Sequence, residues 1–304
     1  MITQRSYKTE NDKLAMAALA GRFAQDHLRI IDLPYRLSSW ALDDPRNACL
    51  WEAEDGSLVA WAVLQTPFWT LDYTLHQDYA GLFPELLVWA DQRAEDALDT
   101  PYGLTSWYTN IFSDQTGRIR QLEQAGYVSQ ADLGEDSWSK VWMKRPGNIP
   151  VKDYRIPNGF TVRALAGESE VAAYVDLHQV VFGTKNMTVE WRSRTLQHPN
   201  YTSDLDVVVE APGGRLAAFC IGWLRQMDDG RLLGQIEPLG CHADFRHYAL
   251  GRIALAEVLR RLQAHNVADI YVETDVYRDT ARQLYENMGF DVIRDVLIYR
   301  KDFT

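Results

Sequence analysis

From Leu250 onward, Leu255, Val258, Leu259 and Leu262 recur at helical spacing and form one apolar stripe, with Arg252, Glu257, Arg260 and Arg261 mostly off it. The spacing predicts a long amphipathic helix. Ahead of it, Gln235 to Cys241 is mostly apolar and reads as a strand, joined to the helix by a turn of small residues. Ile270 to Thr274 reads as a further strand. The helix after it places Ala281, Leu284, Tyr285 and Met288 on its buried face, with Asp279 suited to the N-cap and Gly289 to the left-handed position past the C-terminus.

The first half of the chain shows the same order. Lys13 to Leu28 reads as a helix, and Leu50 to Leu64 as two strands across the turn dipeptide Asp55-Gly56. Glu85 to Ala97 reads as a helix, Trp107 to Thr109 as a strand, Ile119 to Ala125 as a helix and Trp138 to Met143 as a closing strand. Arg120 to Tyr127 matches Arg282 to Phe290 in pattern, setting Gly126 against Gly289 and Leu122 against Tyr285. The chain therefore reads as an internal repeat. Two Pro-Gly-Asn clusters, around Pro146-Gly147-Asn148 and Pro157-Asn158-Gly159, mark a linker. The expected division is 1–147, a linker 148–158, and 159–304. The second part opens with the strand Phe160 to Arg163 and the helix Glu168 to Phe182. A hairpin follows, formed by Asp206 to Glu210 and Leu216 to Trp223.

Composition narrows the function classes. A chain of 304 residues with a 46% hydrophobic fraction and ten tryptophans can bury a core in each half. A net charge of −11 argues against a general nucleic-acid binder and favours a cationic or amine substrate. Three irregularly spaced cysteines give no disulfide framework, and no metal-ligand spacing joins them to the seven histidines. No apolar run approaches the roughly 20 residues of a membrane span, so the expectation is a cytoplasmic protein without a membrane partner. A homodimer is left open.

A strand feeding a helix through small residues makes an anion cradle, because first-turn amides lack intrahelical partners and an arginine adds fixed charge. Here the stretch is Arg246-His247-Tyr248-Ala249-Leu250-Gly251, and Tyr285 and Gly289-Phe290 come later. Together these resemble the GCN5-related N-acetyltransferase (GNAT) superfamily, whose phosphate motif is Arg-x-x-Gly-x-Gly/Ala and whose later motif has a Tyr followed by Gly-Phe. The resemblance covers roughly residues 160 to 304. Ala249 replaces the first motif glycine, and Arg278 stands where many relatives carry Asn. With the internal repeat, the resemblance implies a tandem α/β (α+β) fold of two GNAT-like lobes, each a mixed, mostly antiparallel sheet flanked by helices.

The resemblance also implies acetyl-CoA as acyl donor. Leu239, Gly240 and Cys241 would hold the pantetheine and polarise the carbonyl, and Arg246, His247, Tyr248, Ala249, Leu250 and Gly251 would hold the pyrophosphate. Tyr285 matches the tyrosine that commonly acts as general acid toward the departing sulfur. Glu237, on the central strand, is the candidate base, with His242 as a second proton carrier and water as a third route. Each of these has a plainer role available, as a backbone acceptor for Glu237 and a strand-end residue for His242. Cys241 reads as a packing residue, because no His-Asp pair accompanies it. Laying Leu82 over Leu250 sets Asp78 against Arg246 and Phe83 against Gly251, which implies a degenerate coenzyme site in the first lobe. The expected activity is acetyl transfer to a small-molecule primary amine in the second lobe. A catalytically weak coenzyme-binding sensor or scaffold is the alternative, and a partner-binding module is a third reading.

Overall fold

The computed structural model describes residues 2–101 and 103–304. In chain order the elements are β1 (Thr3–Ser6), α1 (Glu10–Arg22), α2 (Leu33–Leu37), β2 (Ala48–Glu52), β3 (Leu58–Gln65), β4 (Thr70–Leu75) and α3 (Phe83–Ala97). These are followed by β5 (Ser106–Phe112), α4 (Thr116–Gln124), β6 (Val128–Ser129), β7 (Ser139–Pro146), β8 (Thr161–Ala164), α5 (Val171–Phe182), α6 (Val189–Gln197) and β9 (Asp206–Glu210). The last are β10 (Leu216–Gln226), β11 (Leu232–Cys241), α7 (Leu250–Ala264), β12 (Asp269–Asp275), α8 (Asp279–Asn287) and β13 (Asp291–Asp302).

Contacts divide the chain into two compact units. One holds the residues up to Val141 with 275–277 and 294–304, and the other holds 142–274 and 278–293. This differs from the contiguous division expected around the linker. The physical reason is strand pairing: each unit takes its closing strand from the other half of the chain.

In the first unit, β1 to β4 run antiparallel to their neighbours, and β4 lies parallel to β5, paired at Thr70 and Tyr108. The closing strand β13 runs antiparallel to β5, from Val296 opposite Phe112 to Asp302 opposite Ser106. Trp51 and Trp61 are fully buried. Each finds a partner for its indole N–H, Glu85 Oε1 for Trp51 and the Met16 carbonyl for Trp61, both at 2.9 Å.

The sheet of the second unit runs β7-β12-β11-β10-β9-β8. β11 and β12 are parallel and pair from Leu233–Asp269 to Gln235–Tyr271, after which the pairing stops. Their C-terminal ends are thus released just where Glu237 and Pro238 follow. On the other edge of β11 the register shifts: Gly222 faces Ile236 but Cys220 faces Leu239. Glu237 and Pro238 together oppose Ile221, a bulge of the kind that re-aims a side chain. The Glu237–Pro238 peptide is cis. The Glu237 carbonyl accepts from the Trp223 indole at 2.6 Å.

The repeat is visible atom by atom in the last helix of each half. β5 and β12 share one alternation of burial along their length. Gly126 has φ +86° and Gly289 φ +87°. Tyr127 N–H donates to the Leu122 carbonyl at 3.0 Å, and Phe290 N–H to the Tyr285 carbonyl at 3.1 Å. Leu122 therefore occupies the Tyr285 position.

The superposition of Leu82 on Leu250 needs correction. The His76 side chain accepts from Asp78 N–H, and the His242 side chain from Asp244 N–H, each at 3.2 Å. Asp78 thus matches Asp244 and not Arg246, and Ala80 matches Arg246. In the first unit a 3₁₀ turn runs directly into α3, whereas Ala249 is inserted between turn and helix in the second.

Two smaller differences follow from local chemistry. Arg278, not Asp279, is the N-cap of α8. The helix expected over Lys13 to Leu28 stops at Arg22, and a separate 3₁₀ turn covers Ala24–Asp26.

Candidate functional site

The loop that leaves β11 begins at His242, whose Nδ1 receives the Asp244 N–H and whose Nε2 stands 2.6 Å from Arg215 Nη2. Both ring nitrogens are occupied in holding the loop. A 3₁₀ turn, Ala243–Tyr248, follows, and Ala249 then adopts φ +57° as the residue before α7. That left-handed conformation favours glycine and costs an L-residue about 1 kcal/mol. Ala249→Gly should therefore raise stability by about 1 kcal/mol in urea denaturation, despite the added freedom of the unfolded chain. No gain would mean that the loop does not hold this conformation in solution.

Arg246, His247, Tyr248 and Ala249 are exposed, Leu250 is buried, and Gly251 is half-buried at the first turn of α7. A Cβ built on Gly251 would meet only Cys241 Cβ, at 3.8 Å. The loop is exposed up to Ala249 and no side chain crowds Gly251, which leaves the space a phosphate cradle requires. Cys241 is also half-buried. Desolvation pushes its thiol pKa up, opposed by a hydrogen bond from the Gly251 N–H and by the charge of Arg246. Gly240 has a different reason for its missing side chain. A Cβ there would lie 2.4 Å from Phe219 Cζ and 2.8 Å from Val181 Cγ1. Gly240 thus lets α5 and β10 close over β11. Leu239 beside it is half-buried.

Tyr285 lies on the inner face of α8, 7% exposed, with Phe290 packed edge-on at 5.7 Å. Burial drives its phenol pKa upward, and Cys220 and Glu237 push in the same direction while Arg278 opposes them. The hydroxyl therefore keeps its proton well above neutral pH, the state a general acid needs. The structure brings Tyr285 and Glu237 within electrostatic reach of one another, with Cys220 nearby. It does not bring His242 into that group.

Sequence reasoning missed a buried layer beside Glu237. Tyr174 on α5 is fully buried, its hydroxyl has no hydrogen-bond partner among the described residues, and its charge environment includes Glu237, Cys220, Arg192 and Asp206. Arg192 on α6 stacks its guanidinium 3.9 Å over the Tyr174 ring and pairs with Asp206, both completely buried. The Tyr201 hydroxyl donates to the same Asp206 oxygen at 2.8 Å. The sequence signal is faint: Arg192 stands among the polar residues Glu190, Ser193, Arg194 and Thr195, and Asp206 only opens the apolar run Val207 to Val209. Trp191 and Trp223 are both in the core.

The described residues also form open cavities. One of about 570 Å³ is bounded by Phe160, Pro212, Phe245 and Tyr248, and a small one of about 30 Å³ in the first unit touches His27, Asp72, Tyr73 and Asn110. The splayed strands and the bulge converge at Glu237 and at neither cavity.

A parallel pair that splays beside an open helix N-terminus, as β11 and β12 do beside α7, is the architecture of the GCN5-related N-acetyltransferase fold. Residues 173–290 match the model of the acetyltransferase (GNAT) family. Among its relatives are the mycothiol acetyltransferases of Salinispora tropica and Salinispora arenicola. They are 23% and 24% identical over 185 residues, which is 58% of this chain and 60% of theirs. The matched region is thus about three fifths of the curated relatives' length. A GCN5-related N-acetyltransferase from Sphaerobacter thermophilus superposes with TM-score 0.66 at 20% identity, covering 99% of this chain and 95% of that one. A tandem GNAT protein from the clavulanic acid biosynthesis pathway superposes with TM-score 0.65 at 11% identity, covering 99% and 98%.

Among the described residues, no helix is long and apolar enough to cross a membrane.

Proposed function

We propose that this chain is an acyl-CoA-dependent N-acyltransferase that moves acetyl from acetyl-CoA to a primary amine of a small molecule, in its second unit. The observation that carries the reading is the pairing of an open first-turn cradle at Arg246 to Gly251 with a buried, protonated Tyr285 within electrostatic reach of Glu237. In direct transfer the amine nitrogen bonds to the thioester carbon and the carbon–sulfur bond breaks. Glu237 takes the proton the amine loses, directly or through water, and Tyr285 gives its proton to the departing thiolate. The amides of the β11 bulge and strand, around Leu239 to Cys241, stabilise the charge that develops on the carbonyl oxygen. Arg246 and the α7 first turn hold the pyrophosphate, with Ala249 shaping the turn.

The first unit supports no second site of this kind. It has Leu122 in place of Tyr285, Ala80 in place of Arg246, and no left-handed residue before its helix. Net charge of −11 suits a cationic acceptor. The alternative, a coenzyme-binding protein with weak or no turnover, draws on Ala249 and on the altered first unit.

Isothermal titration with acetyl-CoA tests the reading. We expect one site per chain, with Kd raised at least about 30-fold in Arg246→Glu, since reversing a phosphate-facing charge costs on the order of 2 kcal/mol. Two sites would overturn the assignment to the second unit, and no binding would overturn the acyltransferase reading. Binding without thiol release across an amine screen would favour the sensor.

A further inference from the structure

Each unit's closing strand carries one cation to the same place. In the second unit this is Arg145 on β7, 1% exposed. Its Nε donates to the Met288 carbonyl at 2.8 Å, its Nη1 to the Pro146 carbonyl at 3.1 Å, and its Nη2 to the carbonyls of Ile149 and, at 3.4 Å, Pro150. In the first unit Lys301 on β13 donates to the Ala125 carbonyl at 2.7 Å, and Ala125 stands where Met288 stands. The following glycine lies against the cation in both units: a Cβ on Gly289 would lie 3.6 Å from Arg145 Nε, and one on Gly126 3.8 Å from Lys301 Cε, each an ordinary contact distance.

The two devices differ in what balances the charge. Lys301 pairs with Asp91 at 2.6 Å, whereas among the described residues the hydrogen bonds of Arg145 all go to backbone carbonyls. One of these closes the C-terminal turn of α8, where the helix dipole favours a cation and low exposure strengthens the attraction. The Ile149 carbonyl that Arg145 grips also accepts from Gln263 of α7, and Gln263 donates to the Gly147 carbonyl at 2.8 Å. One guanidinium thereby ties together the helix that opens at the cradle and the helix that carries Tyr285.

Resting on the function proposed above, we propose that Arg145 is the positioning residue for Tyr285. Supplied by the strand that precedes the linker, it fixes the Tyr285-to-Phe290 turn so that the hydroxyl meets the leaving sulfur. The second unit is then catalytically incomplete without the closing strand of the first half, which gives a tandem chain a reason to keep a first lobe that has lost its own tyrosine.

The test uses the full chain and three variants: Arg145→Met, Arg145→Lys and, as the counterpart in the first unit, Lys301→Met. Three readouts are taken: acetyl-CoA Kd by titration, kcat and KM for the best amine of the screen, and hydrogen exchange of the 285–290 amides. For Arg145→Met we expect kcat to fall about 30-fold, the size of a lost charge-assisted contact of about 2 kcal/mol, Kd and KM to stay within about threefold, and exchange at 285–290 to quicken by about the same 30-fold. Arg145→Lys should recover most of kcat, and Lys301→Met should leave kcat within about twofold. Unchanged kcat in Arg145→Met, or equal losses in Arg145→Met and Lys301→Met, would overturn the proposal. Should Arg145→Met fail to fold, Arg145→Lys decides: kcat near wild type with normal exchange supports the proposal, and a parallel loss of Kd and kcat overturns it. If the wild type binds acetyl-CoA but turns over no amine, the acyltransferase reading fails by itself, and exchange still reports whether Arg145 fixes α8.

Discussion

Tyr285→Phe is expected to lower kcat for amine acetylation by roughly 100- to 1,000-fold while leaving the acetyl-CoA Kd within about twofold, the range for loss of a positioned general acid. The substitution removes only the hydroxyl. The ring keeps its place on the inner face of α8 against Phe290, so the helix and the cradle should not shift. Burial holds the phenol pKa above its usual value of 10, so Tyr285 stays protonated across the neutral range. The sign is that of a group favoured neutral in the fold. Its contribution is fully present below the unfolded pKa and is lost as pH rises through the raised one. An activity loss between pH 6 and pH 9 must then come from another group, and Tyr285→Phe should reduce the height of the pH–kcat profile in that range without moving its limbs. A limb near neutrality that vanishes in the variant would contradict this assignment, and an unchanged kcat would remove Tyr285 from the chemistry.

What could be read from the sequence follows from which signals are local. The stripe at Leu255, Val258, Leu259 and Leu262 and the turn at Gly289 are set within a few residues, and both are found where the spacing puts them. The equivalence of Leu122 with Tyr285 was also legible, because helix and glycine keep their spacing in both halves. The loop equivalence was not. One inserted residue, Ala249, shifts everything before it relative to α7, and only the shared histidine caps at His76 and His242 reveal the true register. The composition of the units was equally hidden. Which strand lies beside β5 depends on pairing across most of the chain length, and neither Arg145 nor Lys301 carries a local sign of the carbonyl it caps. At the site, Tyr285 and Glu237 could be nominated from pattern and resemblance. Tyr174, Arg192 and Asp206 come from three separate elements and meet only in three dimensions.

That last group leads to the largest expected effect on stability. Asp206→Ala should destabilise the second unit by about 3–5 kcal/mol, measured by urea denaturation, because it strands a buried cation. Arg192 has no exposed surface, its Nε and Nη1 atoms lack partners, and Asp206 is the carboxylate that balances it. Desolvation alone would pull the Arg192 pKa down, yet Asp206, Tyr174 and Tyr201 outweigh it and hold the group cationic. Removing the carboxylate also releases the Tyr201 hydroxyl from its acceptor. Replacing both partners by apolar residues, Arg192→Met with Asp206→Leu, should recover most of the loss, since an ion pair of this kind contributes little net stability against a packed apolar pair. The recovered protein then separates two roles. Arg192 stacks on Tyr174, and Tyr174 shares its charge environment with Glu237, so a pair that only fills the core would restore turnover together with stability. Stability restored without turnover would show that the buried charges set the electrostatics at Glu237. A loss below about 1 kcal/mol in Asp206→Ala would mean that water reaches Arg192 and that the layer is not the dry one described.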